Sequence, residues 1–495
     1  MENQQETKSF IKIDKKTLLG VTALLLAIMV FVGALTQIVP PGAYDTADDG
    51  SIINGTYHEL THEEVGYSFW RIFIAPIEMF INATGDAMTG IIIILVITLI
   101  GGTFLILDKS GVLKYMMSLI VKKFANKKYT LLAVMIFGCM LLSSFAGILE
   151  ESVTLVPLAV AISISLGWDS FVGLGISLMS VTFGYAAATF NPFNVGITQS
   201  MAGLPMFSGV LFRILVFAVI YAVVAGFFIS YAKKIEKNPE KSLCYESDQK
   251  LKDSLFDEAE MKKVQSNPNL PRASKAFIYA LTAVLCITVI CLISNLVVKN
   301  QTVAGIIGYL PLASMAILFT IGGIRAGRIS GLSTDRLRKI FGEGIKTILP
   351  CAPMILSIIS ITYILKRGMI IDTILYNVYN VISNVNPYVA IIIIFFVICI
   401  FEFFIGSGSA KAFLLMPILL PLVNMMGIGE QNLIVAFCLS DGICNVLFPT
   451  NALLMVAIGM INMSYIKYIK CSWKLFLGIF VATAGIILFG TAIGY

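Results

Sequence analysis

Long uninterrupted apolar runs constrain this chain more than any other feature. Stretches such as "GIIIILVITLIGGTFLIL" and "YVAIIIIFFVICIF" approach or reach the ~20 residues that a helix needs to cross a bilayer. Only 13% of the 495 residues are charged, whereas a soluble domain has about 25%. The runs do not alternate in polarity as the strands of a membrane barrel do. The sequence therefore predicts an all-α polytopic membrane protein embedded in a lipid bilayer.

Several classes of function are disfavoured by what the chain contains. The net charge of +6 comes from basic residues in short loops, where they act as topology signals, so no nucleic-acid partner is predicted. No HExxH or nucleophile motif occurs, so the chain is not expected to be an enzyme or to need a cofactor or metal. His58 and His62 of "HELTHEE" have a spacing that binds zinc on a helix, but we interpret this segment as a solvated acidic loop.

The distribution of charge between the runs predicts the topology. The protein is expected in the bacterial cytoplasmic membrane. Lysines before the first run predict that its N-terminus lies on the cytoplasmic side. Segment 41–66 has no Lys or Arg and is expected outside, and the amphipathic stretch 69–81 is expected at the membrane interface. Single spans are predicted at 18–39, 87–107, 209–232, 276–298, 303–325 and 346–366. Lys366 and Arg367 then fall outside, against the charge rule.

Two apolar segments are interrupted in the middle by small or polar residues. Segment 130–167 contains "GILEES", and segment 388–427 contains "GSGSAK". Two full spans would need ~40 apolar residues, and in segment 130–167 the arm after Glu151 offers only about fifteen. We therefore predict two re-entrant hairpins, because irregular backbone at that depth is tolerated where it is buried in protein or lines a watery cavity.

An internal repeat relates the two halves of the chain. At an offset of 260 the matched residues are Pro157 and Pro417, Gly167 and Gly427, Ser180 and Ser440, and Asn191 and Asn451. The prediction is an N-terminal repeat over 1–235, a cytoplasmic loop and linking helix over 236–299, and an inverted C-terminal repeat over 300–495. Broken helices are predicted at 170–203 and 432–462. Inverted repeats with discontinuous helices are typical of secondary transporters.

The two predicted helix breaks contain polar residues that could bind a ligand. "ATFNPFNVG" places Asn191 and Asn194 beside a proline, and "LFPTNALL" does the same with Thr450 and Asn451. Proline frees a backbone carbonyl, and neighbouring amides and hydroxyls can bind a cation or a carboxylate. Asp441 and Asn445 lie one turn apart in the second broken helix. Asp441 is a candidate proton or cation ligand.

The sequences "GILEESVTLVPLAVAISISLGWDSFVGLGI", "FNPFNVGITQSMAGLP" and "DGICNVLFPTNALLM" resemble the YfcC family. These permeases are grouped with the anaerobic C4-dicarboxylate carriers and with arginine/ornithine antiporters. The resemblance implies the ion-transporter superfamily fold, with two inverted repeats in a homodimer. It leaves the substrate open, because the family spans amino acids and organic acids.

Two adjacent glutamates and one lysine are the most unusual charges in the apolar segments. A carboxylate at mid-membrane costs about 2.5–3.5 kcal/mol on insertion scales, so Glu150 and Glu151 indicate a cation-accepting pocket. Lys411 is the counterpart of Glu151 at the offset of 260. It is predicted to pair with Glu151 or Glu402, to bind a substrate carboxylate, or to occupy the place of a coupling cation.

These residues lead to one functional hypothesis and one alternative. The hypothesis is a secondary active transporter of a small amino acid or related metabolite, working by elevator-like alternating access and exchanging basic amino acids. Glu150, Glu151 and Ser152 would face its cationic group, while Ser407 and Ser409 would face its carboxylate. The alternative is a C4-dicarboxylate or other organic-acid carrier coupled to Na⁺ or H⁺.

Overall fold

The computed structural model describes residues 15–45, 53, 55–82, 85–150, 152–205, 207–255, 266–297, 301–382 and 385–495. Glu151 lies outside the described residues, as do Lys8 and Lys12 of the N-terminal segment. Within the described part, the strands are Gly42–Ala43 and His58–Glu59, which pair antiparallel. All other regular structure there is helical, so the predicted helical membrane fold is confirmed apart from this small outer ribbon.

The first half of the chain is built from short and long helices in alternation. Its α-helices are Lys15–Ile38, His62–Val65, Ala75–Ile81, Gly85–Lys109, Val112–Phe124, Lys128–Ala146, Ser152–Ser165, Ser170–Leu174, Ser180–Ala186, Ile197–Met201 and Val210–Lys237. Single π turns at Gly175–Met179 and Pro192–Gly196 lie within the stretch from 170 to 201. We call 170–201 the first broken span.

The second half begins with the polar segment and ends with the apolar helix Tyr465–Ala492. Its α-helices are Tyr245–Leu255, Leu270–Val297, Gln301–Ile329, Thr334–Ile348, Ala352–Gly368, Ile371–Ile382, Pro387–Phe404, Gly408–Met425, Glu430–Asn445, Ala452–Met460 and Tyr465–Ala492. We call Glu430–Met460 the second broken span. In the described part of the chain, five helices are long and apolar enough to cross a bilayer: Lys128–Ala146, Val210–Lys237, Pro387–Phe404, Gly408–Met425 and Tyr465–Ala492.

The helices Lys128–Ala146 and Ser152–Ser165, here the first helical pair, lead back to the end of the molecule where they start. The Tyr129 and Trp168 rings have centroids 6.1 Å apart. Lys128 and Tyr129 both bind the Glu236 carboxylate at the end of Val210–Lys237. Both ends of segment 128–168 therefore lie beside the polar loop that the charges place in the cytoplasm.

The opposite end of the molecule brings the outer ribbon against the end of helix Ala352–Gly368. The amide of Gly42 donates to the Met369 carbonyl at 2.9 Å, and the Thr373 hydroxyl donates to the Pro40 carbonyl at 2.8 Å. Lys366 and Arg367 therefore lie at the same end as segment 40–44. Lys366 and Arg367 cannot be assigned to the cytoplasmic side without assigning segment 40–44 to that side as well. Their departure from the charge rule therefore follows from this packing.

Residues matched at the offset of 260 occupy similar local structures. Pro157 and Pro417 both lie inside helices. Gly167 and Gly427 both have left-handed backbones, with φ of 89° and 67°, just after those helices end. Only glycine adopts this conformation without strain. Helices Pro387–Phe404 and Gly408–Met425 are here called the second helical pair.

Two sequence predictions concern residues 58–81, namely the amphipathic stretch and the histidine pair. In the amphipathic stretch, Ile72 and Met79 are fully buried, while Trp70 and Ile77 are 74% and 64% exposed. This division suits a helix lying on an apolar surface. The histidine pair is different: His58 lies in a strand and His62 begins a separate short helix. The two rings therefore do not share a helical face, and the zinc-binding spacing is lost.

A segment of the polar loop docks onto the start of the first broken span. Asp248 accepts hydrogen bonds from the amide and hydroxyl of Ser170, the amide at 2.9 Å. Asp169 caps the same helix and accepts from the Ser242 hydroxyl at 2.6 Å and the Tyr231 hydroxyl at 2.8 Å. Two buried carboxylates thus hold residues 242–255 against this helix N-terminus.

This docking is expected to weaken as the pH rises. Burial, followed by the charge of Asp169, raises the pKa of Asp248 from 3.8 to about 7. The docked state therefore holds a proton that the undocked state loses, so docking is strongest at low pH and is lost as the pH rises through about 7. Trypsin cleavage after Lys252, normalised at each pH to cleavage of an unstructured peptide, should be faster at pH 8 than at pH 6. Asp248→Asn should reduce that difference, and Glu246→Gln, an exposed control, should keep it.

Candidate transport site

The two broken spans cross at a point where their backbones nearly touch. A β-carbon on Gly442 would lie 2.4 Å from the Cα of Ala186. Both tips of the helical pairs approach this crossing. A β-carbon on Gly147 would lie 2.4 Å from Asn191 Oδ1, and one on Gly408 would lie 2.8 Å from Asp441 Oδ2. Small residues at these positions let the four elements meet in one place.

The first break is stabilised by the first helical pair. The Ser144 hydroxyl donates to the Ala187 carbonyl at 2.7 Å, and the Thr189 and Phe190 amides donate to the Ser144 carbonyl. The first tip is itself fixed, since the Ser152 hydroxyl donates to the Leu149 carbonyl. Backbone groups freed at this break are therefore satisfied by protein, as an apolar environment requires.

The second break is stabilised by the last helix and by its own amides. The Tyr465 hydroxyl donates to the Leu447 carbonyl at 2.7 Å, and the Tyr468 hydroxyl donates to the Val446 carbonyl. Asn451 Nδ2 donates to Asn445 Oδ1, and Asn445 Nδ2 donates to the Asp441 carbonyl at 2.8 Å. A chain of amides thus links the break to Asp441.

Asn191 and Asn451 perform the same local task in the two halves. Asn191 Oδ1 accepts from the amides of Phe193 and Asn194 at 2.9 and 3.2 Å. Asn451 Oδ1 accepts from the amides of Leu453 and Leu454 at 2.9 and 3.1 Å. Each side chain is the N-cap of the helix that resumes after a break.

Removing either cap should slow transport, because each cap fixes the geometry of a break. Loss of an N-cap costs about 1 kcal/mol, and buried unpaired amides add to that cost. We expect Asn191→Ala and Asn451→Ala to lower the transport rate at least about tenfold per folded protein, a loss equivalent to ~1.4 kcal/mol. The matched variants Asn191→Ser and Asn451→Ser keep a capping oxygen and should lose less. Unchanged uptake by both Ala variants would remove these residues from the site.

A buried ion cluster joins the second helical pair to the second broken span. Lys411 Nζ lies 2.6 Å from Asp441 Oδ1 and also forms an ion pair with Glu402. The three side chains are at most 2% exposed. Asn194 Nδ2, from the first broken span, donates to Asp441 Oδ2 at 3.3 Å. The pairing with Glu402 agrees with the sequence prediction, while the pairing with Asp441 was not predicted.

Glu150 differs from this cluster in being accessible. Its side chain is exposed, although it interacts electrostatically with the buried Asp441. Tyr185, which also interacts with both carboxylates, is 6% exposed. Glu150 is therefore not enclosed by packed protein, and it is the accessible carboxylate of this group.

The remaining predicted residues differ in accessibility. Ser407 is exposed and caps helix Gly408–Met425 by accepting from the Ala410 amide, and its hydroxyl lies 3.4 Å from that of Ser409. Ser152 and Thr450 are buried. The structure thus brings Asn194, Asn445, Asn451, Lys411 and Asp441 into one connected network.

The sequence analysis overlooked the pairing of Lys411 with Asp441, which joins the predicted Lys411–Glu402 pair in one cluster. Asp441 was predicted as an open cation ligand, and instead one of its oxygens is bound to an ammonium. The available signal was the scarcity of charge, because Glu402, Lys411 and Asp441 are each isolated charges in apolar stretches. Isolated intramembrane charges of opposite sign tend to pair.

Comparison with known proteins identifies the family. The model of the family described as "C4-dicarboxylate anaerobic carrier" (DcuC) matches residues 20–492. The chain is 24% identical over 508 residues to the Escherichia coli protein named "Putative basic amino acid antiporter YfcC", covering 95% of this chain and 96% of that one.

Two solved transporters are similar at lower levels. The Alcanivorax borkumensis YdaH transporter is 14% identical with a TM-score of 0.47, over 96% of this chain and 99% of that one. Neisseria gonorrhoeae MtrF, of a class of antimetabolite efflux pumps, is 19% identical with a TM-score of 0.45, over 96% and 95%. On the family match, the chain belongs to the C4-dicarboxylate anaerobic carrier family and is a multi-pass secondary transporter.

Proposed function

We propose that this protein exchanges basic amino acids across the bacterial cytoplasmic membrane. The observation that carries the proposal is the charge of the site. Among the described residues that meet there, Glu150, Glu402 and Asp441 are acidic and Lys411 is basic. Glu150 is the accessible member, so it is the carboxylate that an entering ligand would meet. A positive side chain on the ligand, as on arginine or ornithine, would reduce the excess from two negative charges to one.

A carboxylate-binding surface lies at the second tip. Helix Gly408–Met425 starts there with no acidic residue in its first turn, and a helix N-terminus attracts anions. The exposed hydroxyls of Ser407 and Ser409 stand beside it. One side of the site thus suits a cation and the other an anion, which is the charge pattern of an amino acid.

Arg213 does not reverse this balance. It is 1% exposed, and its guanidinium donates to the carbonyls of Thr189, Phe207 and Ser208. These bonds occupy its donors at the start of helix Val210–Lys237. The relative from E. coli is named as an antiporter of basic amino acids, which agrees with the proposal. The family description names C4-dicarboxylates, so a carrier of organic acids coupled to Na⁺ or H⁺ is the alternative.

The direct test is transport by the purified protein in liposomes. Vesicles loaded with unlabelled ornithine should take up labelled arginine rapidly, and empty vesicles should take up little. Leucine and succinate serve as neutral and dianionic competitors. We expect ornithine to compete and succinate not to. Succinate exchange without amino-acid exchange would establish the alternative.

We further propose that the two helical pairs are re-entrant hairpins opening on opposite faces, in a homodimer that works by an elevator-like motion. Single cysteines replacing Lys127 and Ser165 should react with an impermeant thiol reagent from the same side of the membrane. Cysteines replacing Tyr388 and Met425 should react from the other side. Labelling of positions 127 and 165 from different sides would contradict the hairpin topology.

A further inference from the structure

The position of Lys411 is unusual for a lysine. It lies in the first turn of helix Gly408–Met425 and its side chain is 0% exposed. The positive end of the helix dipole repels a cation there, and an apolar setting disfavours an unpaired ammonium. The favourable contacts come from two other helices, through Glu402 and Asp441. The carboxylates of Glu402 and Asp441 thus stabilise a positive charge at a position where the dipole of helix Gly408–Met425 disfavours it.

The surroundings of the ammonium consist of oxygen ligands beside helix breaks. Asp441 Oδ2 receives the Asn194 amide, and Asn194 Oδ1 is buried with no hydrogen-bond partner among the described residues. Asn445 and Asn451 continue the polar network into the second break. Secondary transporters bind coupling cations with oxygen ligands at unwound helix segments, and carboxylate and amide oxygens are ligands that hard cations prefer.

Two other roles for Lys411 fit these contacts less well. A substrate carboxylate has no access to the ammonium, which is fully buried and already holds two carboxylates. A purely structural role would explain the ion pairs but not the additional amide oxygens around them. Apolar residues can often replace a buried ion pair without loss of protein stability, so stability alone does not require these charges.

We infer that the Lys411 ammonium permanently fills a cation site between the second tip and the second broken span, so that transport needs no Na⁺. The inference deepens the proposed function, and only its transport arm rests on that function. It predicts that shortening Lys411 empties the site and lets an alkali cation bind between Glu402 and Asp441.

Thermal unfolding of the purified protein tests the site without any substrate. Midpoints are compared in NaCl, KCl and choline chloride at equal ionic strength for wild type, Lys411→Ala and the exposed control Lys467→Ala. Wild type and Lys467→Ala should show the same midpoint in all three salts. Lys411→Ala should be stabilised by a few degrees in NaCl relative to choline, because a ligand that binds only the folded state raises its stability.

Transport provides the second arm. Wild-type arginine–ornithine exchange should be equal within about twofold in NaCl and choline, a difference below about 0.4 kcal/mol. A tenfold loss in choline would overturn the inference, and so would a folded Lys411→Ala protein that Na⁺ does not stabilise. If Lys411→Ala does not fold, the wild-type salt dependence still decides. Absence of any exchange would instead count against the proposed function, leaving the unfolding result to stand.

Discussion

Glu150→Gln is expected to lower arginine and ornithine exchange about 100-fold, a loss equivalent to ~2.8 kcal/mol. The substitution keeps the size of the side chain and removes its charge. Because Glu150 is the accessible carboxylate of the site, it is the one that a cationic substrate can meet. A hydrogen bond to a charged group contributes about 1.5–3 kcal/mol, which sets the size of the effect.

The measurement is initial exchange in liposomes, normalised to folded protein, for arginine, leucine and succinate. Glu63→Gln, an exposed carboxylate of the outer segment, is the matched control and should behave as wild type. Leucine uptake should change little, since it carries no side-chain charge. Equal losses for all three substrates would indicate a structural role for Glu150. Robust succinate transport by wild type with no amino-acid transport would sink the proposal.

Lys411→Met is expected to be the most destabilising single change in the ion cluster. It leaves Glu402 and Asp441 buried with no cation, and breaking a buried pair in this way costs roughly 3–5 kcal/mol. Asp441→Asn should cost less, because Lys411 keeps its pairing with Glu402. The triple variant Lys411→Met, Asp441→Asn and Glu402→Gln removes every charge and should recover most of the loss.

Thermal unfolding midpoints in detergent measure these differences. The midpoint shift is about 2–4 °C per kcal/mol for 150–250 residues and shrinks with chain length. For this chain of 495 residues, the Lys411→Met midpoint should fall by roughly 5 °C. Lys467→Met, on an exposed part of the last helix, is the control and should change little. Because the three groups share partners, their effects should not add. Additive effects in the triple variant would show that the charges act independently.

The N-cap residues Asn191 and Asn451 show what comparing the two halves of the sequence can predict. Asn191 and Asn451 were matched by a constant offset, and both prove to be N-caps of resumed helices. That role follows from local sequence, because a cap depends on the residues two or three positions further along. The histidine pair shows the limit of the same approach. A spacing of four residues predicts a shared face only if the segment is helical, and a strand intervened.

The apolar runs by themselves determined that this chain is a helical membrane protein, because in lipid each span must satisfy its own backbone hydrogen bonds. The small, polar and proline residues that interrupt these runs also located the two tips and the two breaks. The tertiary structure alone decided which charges meet. Glu402, Lys411 and Asp441 come from three helices, and their pairing depends on how those helices pack, which no local pattern encodes. The exposure of Glu150 is also decided by the tertiary structure, because it depends on which helices pack around that residue.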